Sequence, residues 1–373
     1  MVIIASDSCS TLVTLDGDDK QHLTNDTTSK LCKDQRCGTS EALSSPCINV
    51  LSIPFFLLGC RSVEDYLRLC PEIVNSRDRL HAKLPIIFDR NTSEPIVYVG
   101  QGEVAHALHD QCDYLVSDKA TTCHILALRS ELHGNTPFTS LTHIDDTVYE
   151  SCLRSIVCEH VTHHKYQWGD QFDFSDCRIK FQLDIVGGFE DSDNLSSKIT
   201  NWILRVFANI AGEYQDIIEM TLRTCAVSSL NDNGCRCPIT RGLAIHLKSG
   251  NIYSAKVDNA VAGPAINLRA ARVWSVRESL SIIHTTSGNF IRIEPFSYSS
   301  SSDFKELLYH SDEHLLQLTS TSPDVEEEGF CDAVRSTVRF VLEVPCFKVF
   351  GPFIKKSLHF KRIGSSNSWT RSR

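Results

Sequence analysis

The sequence predicts an α+β fold in which packed, mixed and antiparallel β-sheets form layers flanked by helices. Two observations carry this. Short apolar runs bounded by turn residues recur through the middle of the chain. The longest, Arg178–Val186, alternates strictly, with Ile179, Phe181, Leu183 and Ile185 on one side and polar residues on the other. Between these runs lie segments with apolar residues at helical spacing, such as Asn194–Ile210 and Phe330–Leu342, the latter through Val334, Val338 and Val341.

Taken in order, residues 1–50 are rich in Ser, Thr, Asp, Asn and Lys and poor in aromatics. Such a segment cannot bury enough apolar surface to offset its conformational entropy, so a disordered N-terminal extension is expected there. The run Ser52–Leu58 marks entry to a single folded domain over residues 51–350. Arg61–Leu69 reads as a helix with Val63, Tyr66 and Leu67 on one stripe. Strands are expected at Pro95–Val99, Asp113–Ser117, Thr122–Arg129 and Phe138–His143. Gly187-Gly188 ends the alternating strand. Further strands are read at Leu222–Ser228, Gly242–Leu247, Asn251–Lys256 and Phe290–Ile293, and helices at Leu268–Glu278 and Asp303–Leu318. Thr319–Gly329 is Ser/Thr/Pro-rich and acidic and reads as a solvated loop. From Pro352 the chain carries Lys355, Lys356, Lys361, Arg362, Arg371 and Arg373 and no acid, which reads as a frayed basic tail over residues 351–373.

The composition of the 373 residues, 42% hydrophobic and 22% charged, is that of a globular protein. A net charge of −9 argues against bulk nucleic-acid binding. No apolar run reaches the roughly 18 residues of a membrane span. The first residues meet Asp7 without a basic segment before them, so no secretory signal is read. The 16 cysteines are then expected to be reduced thiols of a cytoplasmic protein, mostly small buried hydrophobes. The basic tail leaves a nuclear location open, and a monomer is expected.

The chemistry-bearing pattern is Ala120-Thr121-Thr122-Cys123-His124 followed by Leu141-Thr142-His143. A thiolate nucleophile needs an imidazole to generate it and to protonate the leaving group. His124 is Cys123's neighbour, but successive strand residues face opposite ways, which makes it a poor base. His143 lies on the next expected strand, after a turn containing Gly134, Asn135 and Pro137, where strand pairing can bring it beside Cys123.

The segment Ser117-Asp118-Lys119-Ala120-Thr121-Thr122-Cys123-His124-Ile125 closely resembles the nucleophile segment of the protein N-terminal asparagine amidohydrolase family. Leu141-Thr142-His143, Val186-Gly187-Gly188-Phe189, Leu268-Arg269-Ala270-Ala271-Arg272 and Arg335-Ser336-Thr337 are similar to that family in the same order, over roughly residues 53–345. More distantly, the placement of the serine and histidine about Cys123 resembles bacterial chemoreceptor glutamine deamidases and toxin deamidases. The resemblance implies a Cys-His deamidase scaffold with residues 51–350 as the catalytic domain. It implies Cys123 as nucleophile, His143 as base and acid, and Ser117 as the hydroxyl orienting His143, with Thr121 and Thr122 as alternatives. It also implies deamidation of an N-terminal Asn to Asp in the N-degron pathway, upstream of arginyl transfer and ubiquitin ligation. Family members begin near the counterpart of Pro54, which 53 residues precede here.

On that reading a thioester forms on Cys123 with loss of ammonia, the backbone N–H of Cys123 stabilises the oxyanion, and no cofactor is needed. A buried carboxylate must recognise the substrate's free α-ammonium, and Asp118, Asp145 and Glu190 are the candidates by nearness to the motifs. Exclusion of Gln is expected to rest on reach to the thiolate. Three rivals stand beside this one. A structural zinc site would use Cys158, His160 and His163, with His164, Cys177 and the Cys235-x-Cys237 pair nearby. A non-catalytic interaction protein would carry a decayed site. A cysteine protease would use the same dyad on a peptide bond.

Overall fold

The computed structural model describes residues 47–53, 63–132, 135–168, 177–275, 279–287, 289–298 and 302–372. Residues 1–46 of the expected N-terminal extension, most of the run Ser52–Leu58, Pro54 and the turn residue Gly134 fall outside the described residues, whereas Ile48 and Asn49 pair with Leu222 and Thr221 and Val50 is fully buried, so the extension read over residues 1–50 does not reach position 50. Residues 45–373 cluster as one compact unit.

The fold is layered α+β. Its strands are β1 (Ile48–Asn49), β2 (Ile86–Phe88), β3 (Ile96–Tyr98), β4 (Glu103–Ala107), β5 (Tyr114–Ser117), β6 (His124–Glu131), β7 (Phe138–Ile144), β8 (Ile179–Gly187), β9 (Ile218–Val227), β10 (Leu243–His246), β11 (Ile252–Val257), β12 (Ser281–His284), β13 (Phe290–Ile293), β14 (Leu358–Arg362) and β15 (Trp369–Arg371). They form a mixed ten-stranded sheet in the order β1-β9-β8-β6-β7-β4-β12-β13-β14-β15 and a five-stranded sheet in the order β2-β11-β10-β5-β3. The helices are α1 (Val63–Arg68), α2 (Pro71–His81), α3 (Glu150–Trp168), α4 (Leu195–Glu213), α5 (Ile266–Ala270), α6 (Ser302–Glu306), α7 (Asp312–Thr319), α8 (Phe330–Glu343) and α9 (Cys346–Phe350).

Two cores use the two faces of β6. Leu126 and Leu128 point to a helical layer with Leu153 and Ile156 of α3 and Ile203 and Phe207 of α4. Ile125 and Ala127 point the other way, into the layer between the sheets, with Leu141 of β7, Leu115 of β5 and Leu243 of β10. A strand buried on both sides needs apolar residues at successive positions, which is what Ile125–Leu128 supplies. The inter-sheet layer also holds an ion pair. Arg269 Nη2 lies 2.5 Å from Glu103 Oε2, with both side chains 2% exposed. Arg269 also donates to the carbonyls of Ala262 and Tyr98, and Glu103 accepts from Gly100 N. Desolvation raises the Glu103 carboxyl, but Arg269 and the Gly100 hydrogen bond outweigh it and hold it below its ordinary value.

Three expectations are corrected. The residues read as a basic tail supply β14 and β15, paired antiparallel to β13 and to each other. Leu358 and Phe360 alternate with His359 and Lys361, so charge masked a period of two. Arg362 donates to the carbonyl of Ile96 on β3 at 2.7 Å, tying this strand pair to the smaller sheet. The helical run expected over Asp303–Leu318 is two helices, and that over Leu268–Glu278 is α5 followed by a 3₁₀ turn at Ala271–Trp274.

The zinc cluster is likewise not assembled. Cys158, His160 and His163 lie on α3, where positions two apart diverge around the helix. Cys158 is exposed while His160 and His164 are fully buried. Among the described residues, no group of three or more His, Cys, Asp or Glu side chains is arranged to hold a metal ion. The histidines instead join a serine-bridged chain. His164 Nε2 and His160 Nδ1 meet Ser130 Oγ at 2.8 and 2.6 Å, and His160 Nε2 and His106 Nδ1 meet Ser140 Oγ at 2.7 and 2.6 Å. His163 stacks on Phe138. Leu153, Ile156, Val157, His160 and His164 are the inward stripe of α3, so histidine stands where a sequence reading seeks an aliphatic residue.

Two predictions follow from this packing. Replacing Arg269 by Met strands a buried carboxylate and lowers unfolding stability by about 3–5 kcal/mol, whereas Glu103→Leu combined with Arg269→Met loses less; urea unfolding of the three proteins measures both. The second concerns acid. Burial pushes His106 down to about 3 and His164 down to about 4, from an ordinary 6.5, and drives His160 well below it. The unfolded chain therefore takes up these protons at a higher pH than the folded protein does. Stability is fullest above 6.5 and declines as pH falls toward 4, by roughly 1.4 kcal/mol per pH unit per ring. Urea midpoints should drop from pH 7 to pH 5, with a shallower drop in His164→Asn.

Candidate active site

β6 begins at His124, two residues later than the sequence suggested, so Cys123 sits at the mouth of the strand. Register places the histidine. In the β6–β7 ladder Ile125 pairs with His143 and His124 pairs with Ile144. Residues directly opposite share a face, so His143 shares the face of Ile125, and Cys123, two residues before Ile125, is its diagonal neighbour. Both faces accord with their surroundings. Cys123 packs against the inter-sheet core, whereas His124 turns into the helical layer, where its Nε2 lies 2.8 Å from Thr200 Oγ1 on α4. Burial pushes His124 down to about 3, with the charge of nearby His143 a further cause. This ring stays neutral and structural.

The smaller sheet contributes the third group. Ser117, the last residue of β5, faces the ten-stranded sheet, and its Oγ lies 2.9 Å from His143 Nδ1. Ser117 is fully buried and His143 is 4% exposed. Of the alternative hydroxyls, Thr122 is engaged with Thr321 Oγ1 at 2.7 Å. Cys123 is half-buried, unlike the fully buried thiols of Cys112 and Cys225. Burial pushes Cys112 up to about 12 and Cys225 higher still, which keeps both inert.

The glycine pair at the end of β8 supports the nucleophile segment. Gly188 N donates to the carbonyl of Cys123 at 3.0 Å. Gly187 has φ +129° and Gly188 φ +68°. A Cβ on Gly187 would collide with the Cys123 carbonyl oxygen, and one on Gly188 would lie 2.8 Å from Ser196 Cβ. The backbones can approach this closely only without side chains. Asn231, fully buried, adds a clamp by donating to the carbonyls of Gly188 and Thr240. The neighbouring Arg241 accepts Ala120 N through its carbonyl and donates to the carbonyl of Val325 at 2.5 Å. Thr319–Gly329 is thus no freely solvated loop. Thr321 and Val325 fasten it to the nucleophile segment, and Ser322 is buried.

The three acid candidates part company. Asp145 follows β7 and is 6% exposed. Extending the ladder by one residue sets it opposite Cys123. Its Oδ1 accepts Thr147 N and Oγ1, and its Oδ2 accepts Gln101 Nε2 at 2.6 Å. Asp118 leaves the inter-sheet layer. Its oxygens accept Tyr98 OH at 3.0 Å and Val257 N at 2.8 Å, and burial raises its carboxyl. Strand alternation separates it from Ser117. Glu190 is exposed, and its backbone N donates to Asp232 Oδ2. Gln101, Glu103, Asn231 and Arg241 were not singled out in the sequence; only Arg269, within Leu268–Arg272, pointed toward this neighbourhood. Glu103 pairs with His143 across β4 and β7, so the buried ion pair borders the imidazole.

The glycine contact yields a prediction. Gly187→Ala should cost about tenfold or more in activity together with a lower melting temperature, and Gly212→Ala, which meets only Leu51 Cδ2 at 3.7 Å on an ordinary helical backbone, should leave both intact. Thermal unfolding and turnover of the two variants check it.

Comparison with known proteins agrees with the motifs. The family model described as protein N-terminal asparagine amidohydrolase matches residues 88–371. The protein N-terminal asparagine amidohydrolase of Sus scrofa is 31% identical over 254 residues, covering 67% of this chain and 75% of its own length. That of Homo sapiens is 30% identical over 252 residues, covering 67% and 76%. The matched region holds the cysteine, the histidine, the glycine pair and both sheets except β1 and most of β2, and this chain belongs to the protein N-terminal asparagine amidohydrolase family.

Proposed function

We propose that this protein hydrolyses the side-chain amide of an N-terminal Asn to Asp, releasing ammonia, through a thioester on Cys123. Family membership supports the reaction class. The observation that supports the mechanism is the Ser117 Oγ–His143 Nδ1 hydrogen bond beside Cys123. With Nδ1 held by Ser117, Nε2 is the nitrogen that takes the thiol proton. The thiolate attacks the Asn carboxamide carbon, and the Cys123 backbone N–H stabilises the oxyanion. The imidazolium protonates the departing nitrogen. Water, deprotonated by the same ring, cleaves the thioester, and the carboxylate product leaves the free thiol. The new N-terminal Asp is then a secondary N-degron for arginyl transfer and ubiquitin ligation.

Asp145 is the carboxylate we assign to the substrate α-ammonium. It is buried and directly follows the strand that carries His143. A buried carboxylate facing an acylated terminus loses a charge-assisted bond, which is a steep form of discrimination. Gln adds one methylene, worth only about 1–3 kcal/mol in binding, so its exclusion rests on how far the carboxamide carbon lies from the sulfur.

A peptide panel tests this. Ammonia should come from a peptide beginning with free Asn and not from its N-acetylated form or from one beginning with Gln. Cys123→Ala should abolish release, and His143→Ala should reduce it by roughly 10²–10⁴. Ser117→Ala should cost less than His143→Ala. Undiminished release by Cys123→Ala would remove the thiol mechanism, and cleavage of the chain without ammonia would favour a protease.

A further inference from the structure

We propose that Gln101 determines specificity at this site. Its side-chain amide holds the α-ammonium position on Asp145 in the free enzyme and yields it only to a substrate with a free amino terminus. The inference rests on the assignment of Asp145 to the substrate α-ammonium.

The two oxygens of Asp145 are treated differently. Oδ1 is committed to its own turn through Thr147 N and Oγ1. Oδ2 meets a side chain from another segment, Gln101 Nε2, at 2.6 Å. The backbone bearing Gln101 is fixed against the histidine strand. Gly102 N donates to the His143 carbonyl at 2.8 Å, Gln101 bridges to His143, and Gly100 N donates to Glu103 Oε2, itself paired with Arg269. Gly102 turns the chain there with φ +74°. The Gln101 side chain is half-buried, so it can rotate toward solvent while this backbone stays in place.

The chemistry of the exchange favours one class of substrate. A neutral amide N–H donates to the carboxylate until a stronger donor arrives. An ammonium adds a full positive charge opposite the carboxylate, so its bond is the stronger of the two, and it displaces the amide. An internal peptide bond or an acetylated terminus brings only an amide N–H, equal in kind to the one it must replace, and gains nothing. The enzyme thereby compares each incoming terminus with its own carboxamide. Displacing Gln101 also weakens apparent binding of correct substrates, since the competent state must first be vacated.

Two substitutions at Gln101 should act in opposite directions on the free-Asn peptide. Gln101→Ala removes the competing amide from Oδ2, and KM should fall roughly fivefold. Gln101→Lys tethers an ammonium on Asp145, and KM should rise tenfold or more, with the change falling on KM more than on kcat. The rate of Cys123 alkylation by iodoacetamide should stay near wild type in both, since the thiol and imidazole are untouched. Shifts in the same direction, or no shift in either variant, overturn the inference. Asp145→Asn separates it from the reading beneath. If that variant keeps its full preference for a free over an acetylated terminus, the assignment of Asp145 fails. If it loses that preference while the Gln101 variants do not diverge, the assignment stands and the role of Gln101 falls.

Discussion

The hydrogen bond from Ser117 to His143 joins the two sheets at the point where chemistry is assigned. Ser117 ends a strand of the smaller sheet and His143 nears the end of a strand in the larger one, so the bond forms only while the sheets are packed. The leucines, isoleucines and alanines of the inter-sheet core supply that packing. A single contact between two polar side chains therefore depends on a large buried apolar surface. Hydrophobic burial is non-directional and cannot aim an imidazole, whereas the ladder register and this bond can.

Around the bond, the molecule pins backbone more than side chain. The glycine pair, Asn231 and the Arg241 carbonyl all act on the main chain of the nucleophile segment or the strands beneath it. Loops positioned in this way keep a reactive group half-exposed without mobility, which an in-line attack on a carboxamide requires. The Glu103–Arg269 pair does the same for the turn bearing Gln101. Its cost is the desolvation of two charges, offset by further bonds to Gly100, Ala262 and Tyr98.

Legibility in the sequence followed physical type. Strands with clean alternation or dense apolar runs, such as β7, β8 and β13, were readable because one local pattern decides their burial. Helix α3 was not, because His160 and His164 fill its inward stripe and resemble ligands. Strands β14 and β15 were hidden by lysine and arginine, whose charges suggested solvent while Leu358 and Phe360 pointed inward. The loop 319–329 looked solvated because its anchors are hydroxyls and a backbone carbonyl, which carry no hydropathy signal. Within the site, the opposed faces of Cys123 and His124 were legible from alternation. The parting of Asp118 from Ser117 follows from the same rule, yet nearness in sequence grouped the two.

The sequence by itself determined the periodicities, the opposed faces of Cys123 and His124, and a family signature that singled out Cys123, His143 and Ser117. These are local, since they depend on residues within one strand or one short motif. The tertiary structure alone decided that Ser117 meets the imidazole, and that the glycine pair lies against the cysteine. It also decided that Asp145, among three acids, stays near the site. Each of those outcomes compares groups distant along the chain. Only strand register and sheet packing set such distances, and neither is encoded at any one position.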